Sequence, residues 1–364
     1  MKKRILILGG TGAMGRALIP ILKKDCEVTV TSRKAHQDDH ISYIIGNAHD
    51  PLFIKDLLHN EKKFDVVIDF MNYKVDEFQE VAKNILPLTG QYIFISSARV
   101  YAPSNDLLTE NSPRLLDVCL DKKYLETQEY ALEKAKEENI LFNFPSLNWT
   151  IIRPGLTYNY NRMQFALWEK EEWLYRALKG KKILFPKEMA HVLTTMTYAE
   201  DVAYSIARLV GHSDALGEAF HIAGAPPVTW QSVFNIYHDA ILRKADIAIK
   251  LYSDCSAEDI AVRFNRYYQF KYARGITRIF DNSKLFRFIG DYKFKTVEEG
   301  LNKCIDAFID NGDEFKEISW LKEASFDRIT GDVALWCEFS GLKPKVGYYF
   351  ARYSGFINKY LYSK

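Results

Sequence analysis

The sequence has no excess of charge, no cysteine pattern and no long apolar run, and each absence removes a class of function. Its 364 residues carry 49 basic and 47 acidic side chains, a formal net charge of +2. A balance so near neutral sets up no field that would gather nucleic acid, so no nucleic-acid partner is expected. The five cysteines, Cys26, Cys119, Cys255, Cys304 and Cys337, are odd in number and far apart. They suit neither a disulfide framework nor a zinc site, and a reducing, cytoplasmic setting is the simplest one. The eight histidines offer no H-x-x-x-H spacing with a third ligand, since His36 and His40 sit in a polar loop; no metal is expected. The apolar run Ile5–Leu8 meets glycine too soon for a signal peptide, and no run approaches the roughly eighteen apolar residues of a membrane span.

What is present is alternation. Ile5–Leu8, Glu27–Thr31, Ile41–Ile45, Asp65–Phe70, Tyr92–Ser96 and Trp149–Ile152 read as short apolar strands. Between them Ala13–Lys24, Pro51–Leu58 with Asp50 as its cap, Val75–Leu86 and Lys123–Glu138 read as helices. Strand–helix alternation of this kind predicts an α/β fold with a doubly wound parallel sheet. Further on, helices are expected over Met163–Lys179 and Tyr198–Leu209, with Phe220–Ile222 returning as a strand.

The first strand runs into Gly9, Gly12 and Gly15, at G-x-x-G-x-x-G spacing. Gly9 permits a tight turn, Gly12 lets a pyrophosphate reach the backbone, and Gly15 lets the helix pack on the sheet. The amides of Ala13 and Met14 would then face the phosphates. At the end of the second strand Ser32 stands where NAD-preferring sites usually place an acid. Arg33 and Lys34 follow and could pair with a 2′-phosphate. NADP(H) is therefore the expected cofactor, with NAD the alternative.

Tyr130 and Lys134 are four residues apart on an expected helix, hence on one face. A nearby ammonium and a nicotinamide cation would favour phenolate, so that Tyr130 could shuttle a proton while hydride moves. Ser97, where the strand Tyr92–Ser96 ends, could hold the same substrate oxygen, because strand C-terminal ends form the ligand crevice in such sheets.

Gly9–Gly15, Ile95–Tyr101, Tyr130–Lys134 with Glu138, Thr150–Gly155 and Met196–Ala203 together resemble the extended branch of the short-chain dehydrogenase/reductase superfamily, the NAD-dependent epimerase/dehydratase family. The resemblance covers about residues 1–310 and implies a Rossmann-type domain with a smaller C-terminal substrate-binding lobe. It assigns Ser97, Tyr130 and Lys134 as the catalytic set and has Lys134 hold the nicotinamide ribose. It places Asn47 near the adenine, Phe70 and Met71 in the turn after the fourth strand, and Pro154, Gly155 and Leu156 along the nicotinamide. The implied domains are 1–157 plus 197–222, and 158–196 plus 223–310 with the substrate between them, leaving 311–364 as an extension of unknown role. The implied substrate is a nucleotide-linked sugar, whose phosphates could use Arg162, Lys179 or Arg274, and the implied oligomer is a homodimer.

A dehydratase of this family needs an acid beside the catalytic serine, and here Ala98 and Arg99 follow Ser97. Reduction of a ketosugar with NADPH is the first reading of the reaction, and epimerisation with retained cofactor the second. A cofactor-binding regulator or a nucleic-acid-binding relative that does no chemistry is the reading from another class. The tail interleaves Tyr348, Tyr349, Phe350, Tyr353, Phe356, Tyr360 and Tyr362 with Arg352 and Lys359. It could lie on an anionic membrane surface, though its glycines and tyrosines dilute the amphipathic pattern, or pack on the body or on another subunit.

Overall fold

The computed structural model describes residues 2–36, 41–224, 226–312 and 315–354. They divide into two compact units, one of residues 1–157, 195–226 and 278–296, the other of 158–194, 227–277 and 297–364.

The first unit is built on seven strands: β1 (Lys3–Leu8), β2 (Cys26–Ser32), β3 (Ser42–Ile45), β4 (Val66–Asp69), β5 (Gln91–Ile95), β6 (Trp149–Pro154) and β7 (Glu218–Ile222). They are ordered β7-β6-β5-β4-β1-β2-β3, and every pairing is parallel. The sheet is Rossmann-like. Its strands are nearly all apolar because both faces are covered. Alternate residues supply the two cores. Ile5, Ile7, Val30 and Ile68 pack with Leu18 of α1 (Ala13–Leu22). Leu6, Leu8, Val67 and Phe94 pack on the other face with Ile54 of α2 (Pro51–Asn60) and Phe78 of α3 (Val75–Ile85).

The helix expected over Lys123–Glu138 is interrupted. A short turn, Lys122–Leu125, ends before α4 (Tyr130–Phe142) begins. Thr127 donates its hydroxyl to the Tyr124 carbonyl at 2.7 Å, and the Glu129 carboxylate accepts from the Ala131 amide at 2.8 Å. These local bonds compete with helix continuation and restart it. Tyr130 is thereby the first residue of α4, with Lys134 one turn further in. After α4 comes α5 (Ala199–Leu209), one residue shorter than expected, which packs on the β1 core through Val202 and Ile206.

In the second unit the helix expected over Met163–Lys179 starts only at Lys170 and ends at Leu178. Ala166 adopts a positive φ of 49°, and Phe165 bridges Trp168 in antiparallel fashion, which no helix permits. The buried Trp168 indole donates to the Leu184 carbonyl at 2.6 Å. Residues beyond 311 form two further helices, Trp320–Thr330 and Leu342–Tyr353. They close over Arg176, which is 0% exposed and donates to Glu323 and Asp327 at 2.8 Å each and to Asp332 at 3.1 Å. Lys181 reaches Asp327 at 3.0 Å, and the buried Tyr348 hydroxyl donates to the same carboxylate. Of the aromatic tail, Tyr348 is thus core, while Phe350 and Tyr353 are exposed; Phe356, Lys359, Tyr360 and Tyr362 lie outside the described residues. Among the described residues no helix is long and apolar enough to cross a membrane.

Candidate active site

β1 delivers the chain directly into the glycine turn. Gly9 has φ +68°, and a Cβ there would lie 2.7 Å from the Met71 sulfur. A Cβ on Gly15 would come within 2.3 Å of the Gly10 carbonyl oxygen, so α1 can sit this close only without a side chain. Gly12 differs: its nearest neighbour to a Cβ is the Gly9 carbonyl at 3.9 Å, so it faces an open side. It caps α1 without a side-chain acceptor. The amides of Ala13 and Met14 are therefore presented at a positive helix terminus, the arrangement that takes a phosphate anion. This open cradle fits the pyrophosphate of a dinucleotide.

Next to β1, the second strand ends at Ser32, whose hydroxyl accepts from the Lys34 amide at 3.1 Å and bonds His36 Nε2 at 3.0 Å. Arg33 and Lys34 are exposed beside it. Asn47, also exposed, follows β3 and accepts from the His49 amide at 3.3 Å. The chain leaves β4 through Phe70, whose amide donates to the Leu8 carbonyl at 3.0 Å, and Met71. Pro154 closes β6. The Gly155 amide then donates to Ile222 at 2.8 Å and the Leu156 amide to Thr195 at 3.1 Å. A Cβ on Gly155 would lie 2.7 Å from the Thr197 hydroxyl.

The Ser, Tyr and Lys side chains rise from elements beside these strand ends. Ser97 follows β5, is 8% exposed and caps the turn Ala98–Val100, accepting from the Arg99 amide at 3.2 Å. Tyr130 is 36% exposed at the start of α4. Lys134 is buried; its Nζ lies 2.9 Å from Glu137 Oε2 and donates to the Met71 carbonyl at 3.4 Å. Met71 is the residue whose sulfur rests against Gly9, so Lys134 and the glycine turn meet through it. Arg99 joins the other two, since its guanidinium lies 5.2 Å from the Tyr130 ring centroid.

Beneath the site Glu138 binds Arg153 through both oxygens at 2.8 Å, Arg114 at 3.1 Å and the Ser96 hydroxyl at 2.7 Å. Arg153 also donates to the Tyr101 hydroxyl at 3.1 Å, and Tyr101 contacts His221 Nδ1 at 3.2 Å. This network ties α4, β5, β6 and β7 together under the catalytic candidates.

The pattern that defines the NAD dependent epimerase/dehydratase family matches residues 5–223. The chain belongs to this family of NAD-dependent enzymes. A curated relative, the chloroplast stem-loop binding protein of 41 kDa b of Arabidopsis thaliana, is 30% identical over 254 residues, which cover 64% of this chain and 61% of that protein. The chain thus spans less than two thirds of that relative's length. Among solved structures, dTDP-glucose 4,6-dehydratase of Bacillus anthracis in complex with NAD superposes with a TM-score of 0.64 at 15% identity, covering 87% of this chain and 100% of that one. UDP-glucuronic acid 4-epimerase of Bacillus cereus, in complex with UDP-glucuronic acid and NAD, gives 0.62 at 15% identity, over 85% and 99%. These structures share the family fold.

Three groups near Ser97, Tyr130 and Lys134 escape a reading of spacing alone. Glu137 and Asp69 are both 0% exposed. Burial pushes the Glu137 carboxyl up to about 7, against the pull of Lys134, and raises Asp69 as well. Asp69 accepts from Tyr92 at 2.7 Å, Tyr73 at 3.0 Å and the Met71 amide at 2.8 Å. The third is Arg99, recognisable in the sequence only as a departure from the family pattern. Glu137 had a usable signal, three residues after Lys134 and so on its face of the helix.

Proposed function

We propose that this chain is an NADP(H)-dependent reductase of a ketosugar carried on a nucleotide, with Ser97, Tyr130 and Lys134 as its catalytic set. The observation that carries this reading is the placement of Lys134 against Met71, and of Met71 against Gly9, beside the strand end that holds Ser97. When bound, the nicotinamide would supply the hydride. Tyr130 gives its proton to the carbonyl oxygen, Ser97 holds that oxygen by a hydrogen bond, and Lys134 would hold the nicotinamide ribose. Gly9, Gly12, Ala13, Met14, Gly15, Asn47, Phe70, Met71 and Pro154–Leu156 form the proposed cofactor cradle. The choice of NADP over NAD rests on Arg33 and Lys34, exposed past Ser32 with no acid among them. The solved structures named above, which hold NAD, and those that hold a nucleotide sugar lend support at the level of the cofactor type and substrate class.

Tyr130→Phe is expected to lower kcat about 100- to 10,000-fold, the usual size of a general acid–base contribution, with an unchanged melting temperature. Calorimetry with NADPH and NADH, repeated on Arg33→Ala, checks the cofactor preference. Stoichiometric loss of NADPH absorbance with a nucleotide-ketosugar supports the reductase; isomer interconversion without cofactor loss replaces it with an epimerase. A homodimer is part of the proposal, with sedimentation as its check. So is a cytoplasmic setting, which suits the five free thiols. A second reading is favoured by the name of the Arabidopsis thaliana relative, a stem-loop binding protein. Salt-sensitive retention of a stem-loop RNA, without turnover of any nucleotide sugar, would establish that reading instead.

A further inference from the structure

We propose that the exposed face of the helix Leu342–Tyr353, with the loop ahead of it, docks on an anionic lipid surface. The helix is apolar on two sides. Tyr348 and Ala351 face inward and pack with Ala324 and Phe339. Leu342, Val346, Phe350 and Tyr353 follow one another at intervals of four, four and three residues, the spacing that aligns side chains along one face. Each of the four is 57% to 73% exposed. The tyrosines that dilute an amphipathic pattern in the sequence thus belong to different faces, one packed into the core and one left to water.

The loop widens this face. Leu335 and Trp336 are exposed. The Trp336 ring lies 6.1 Å from that of Tyr349, and Tyr349 stacks on Tyr353 at 6.4 Å with the rings 2° from parallel. The Tyr349 hydroxyl donates to the Ala334 carbonyl at 3.2 Å, and Arg352 Nε to the Asp332 carbonyl at 3.2 Å. Loop and helix are therefore one surface. A contiguous run of exposed apolar side chains, rimmed by charge, marks an interaction site.

Its charge says what covers it. From Phe339 to the last residue there is no acid, while Lys343, Lys345, Arg352, Lys359 and Lys364 are basic. Among the described residues Lys343, Lys345 and Arg352 form no ion pair; the Lys345 ammonium lies over the Trp336 ring, 3.7 Å from its centroid. The two acids nearest in sequence are already engaged, Asp332 by Arg176 at 3.1 Å, and Glu338 by the Tyr175 hydroxyl and the Leu335 amide. A second copy of the chain would set these cations against themselves, since a two-fold contact presents the same patch from both sides. An anionic lipid surface takes up both features at once. The acyl boundary receives the projecting apolar side chains, and the headgroups attract the lysines and the arginine. Tryptophan and tyrosine favour that boundary. Docking here is independent of the nucleotide-sugar reading above.

The test is co-sedimentation of the full chain with two kinds of vesicle, phosphatidylcholine alone and phosphatidylcholine with about a third phosphatidylserine. The expected result is binding to the second about 10-fold or more above the first, as three basic side chains near the surface require. Val346→Glu should weaken binding to the mixed vesicles about 10-fold or more, by removing an apolar side chain and adding a repelled charge, with an unchanged melting temperature. Lys343→Gln should weaken it about fivefold. Equal binding to both vesicles, or to neither, overturns the assignment. So does a Val346→Glu variant that binds as the unaltered chain does, since residues 355–364 would then make the contact. A concentration-dependent dimer that Val346→Glu dissolves, with no vesicle bound, gives the face to a second copy instead.

Discussion

Glu137 and Glu138 are adjacent on α4 and equally buried, yet they sit in opposite electrostatic states. Glu138 meets two guanidinium groups and a serine hydroxyl. Glu137 meets one ammonium, Lys134, and shares that cation's field with the buried Asp69. Two carboxylates against one ammonium leave a negative charge uncompensated, so Glu137 is pushed up to about 7, burial being the larger cause. Burial by itself does not decide whether a carboxylate belongs to the scaffold; the number and charge of its partners do. The matched cluster fixes the strands under the site. The mismatched one sits against the lysine that the proposed chemistry uses.

The comparison can be broken most severely from the matched side. Arg153→Ala should leave Glu138 buried and short of its bidentate partner, costing about 3–5 kcal/mol; a urea midpoint close to that of the unaltered protein would show that the cluster is not the scaffold described here.

A smaller effect sharpens the other side. A carboxyl raised from 4.5 to about 7 takes up a proton on folding between those values. Its contribution is most favourable below pH 4.5 and is lost as pH rises through 7. The shift corresponds to something on the order of 3 kcal/mol. Glu137→Gln removes this dependence, so its stability relative to the unaltered chain should improve from pH 5 to pH 8 in denaturation curves. Glu323, also pushed up to about 7, acts alike in both proteins and cancels in the difference. The smallest effect expected is that of Ser96→Ala, which removes one hydrogen bond to Glu138, worth about 1.5 kcal/mol, read as a drop in the urea midpoint.

Much of this architecture is legible in the sequence. The strands are short apolar runs ended by glycine, proline or polar residues, and the glycine turn declares itself by following the first of them. The missed boundaries share a cause. Between Lys122 and Glu138 the composition is that of one long helix; what divides it is a pair of side-chain bonds from Thr127 and Glu129, which propensity does not register. Residues 163–169 are drawn out of helix by the burial of Trp168 against Leu184, a contact fixed by tertiary packing. The same holds for the site. Tyr130 and Lys134 are a local spacing and can be read. The encounter of Lys134 with Met71, and of Arg99 with Tyr130, arises only when distant segments meet at the strand ends.

The C-terminal helices have a consequence for how short this chain can become. Arg176 and Lys181 owe their carboxylate partners Glu323, Asp327 and Asp332 to residues that come roughly 150 positions later. A homologue trimmed ahead of Trp320 would take from both cations the carboxylates that neutralise them together with the helices that cover them. A relative that dispenses with this segment is therefore expected to leave the arginine to water or to carry an uncharged side chain in its place.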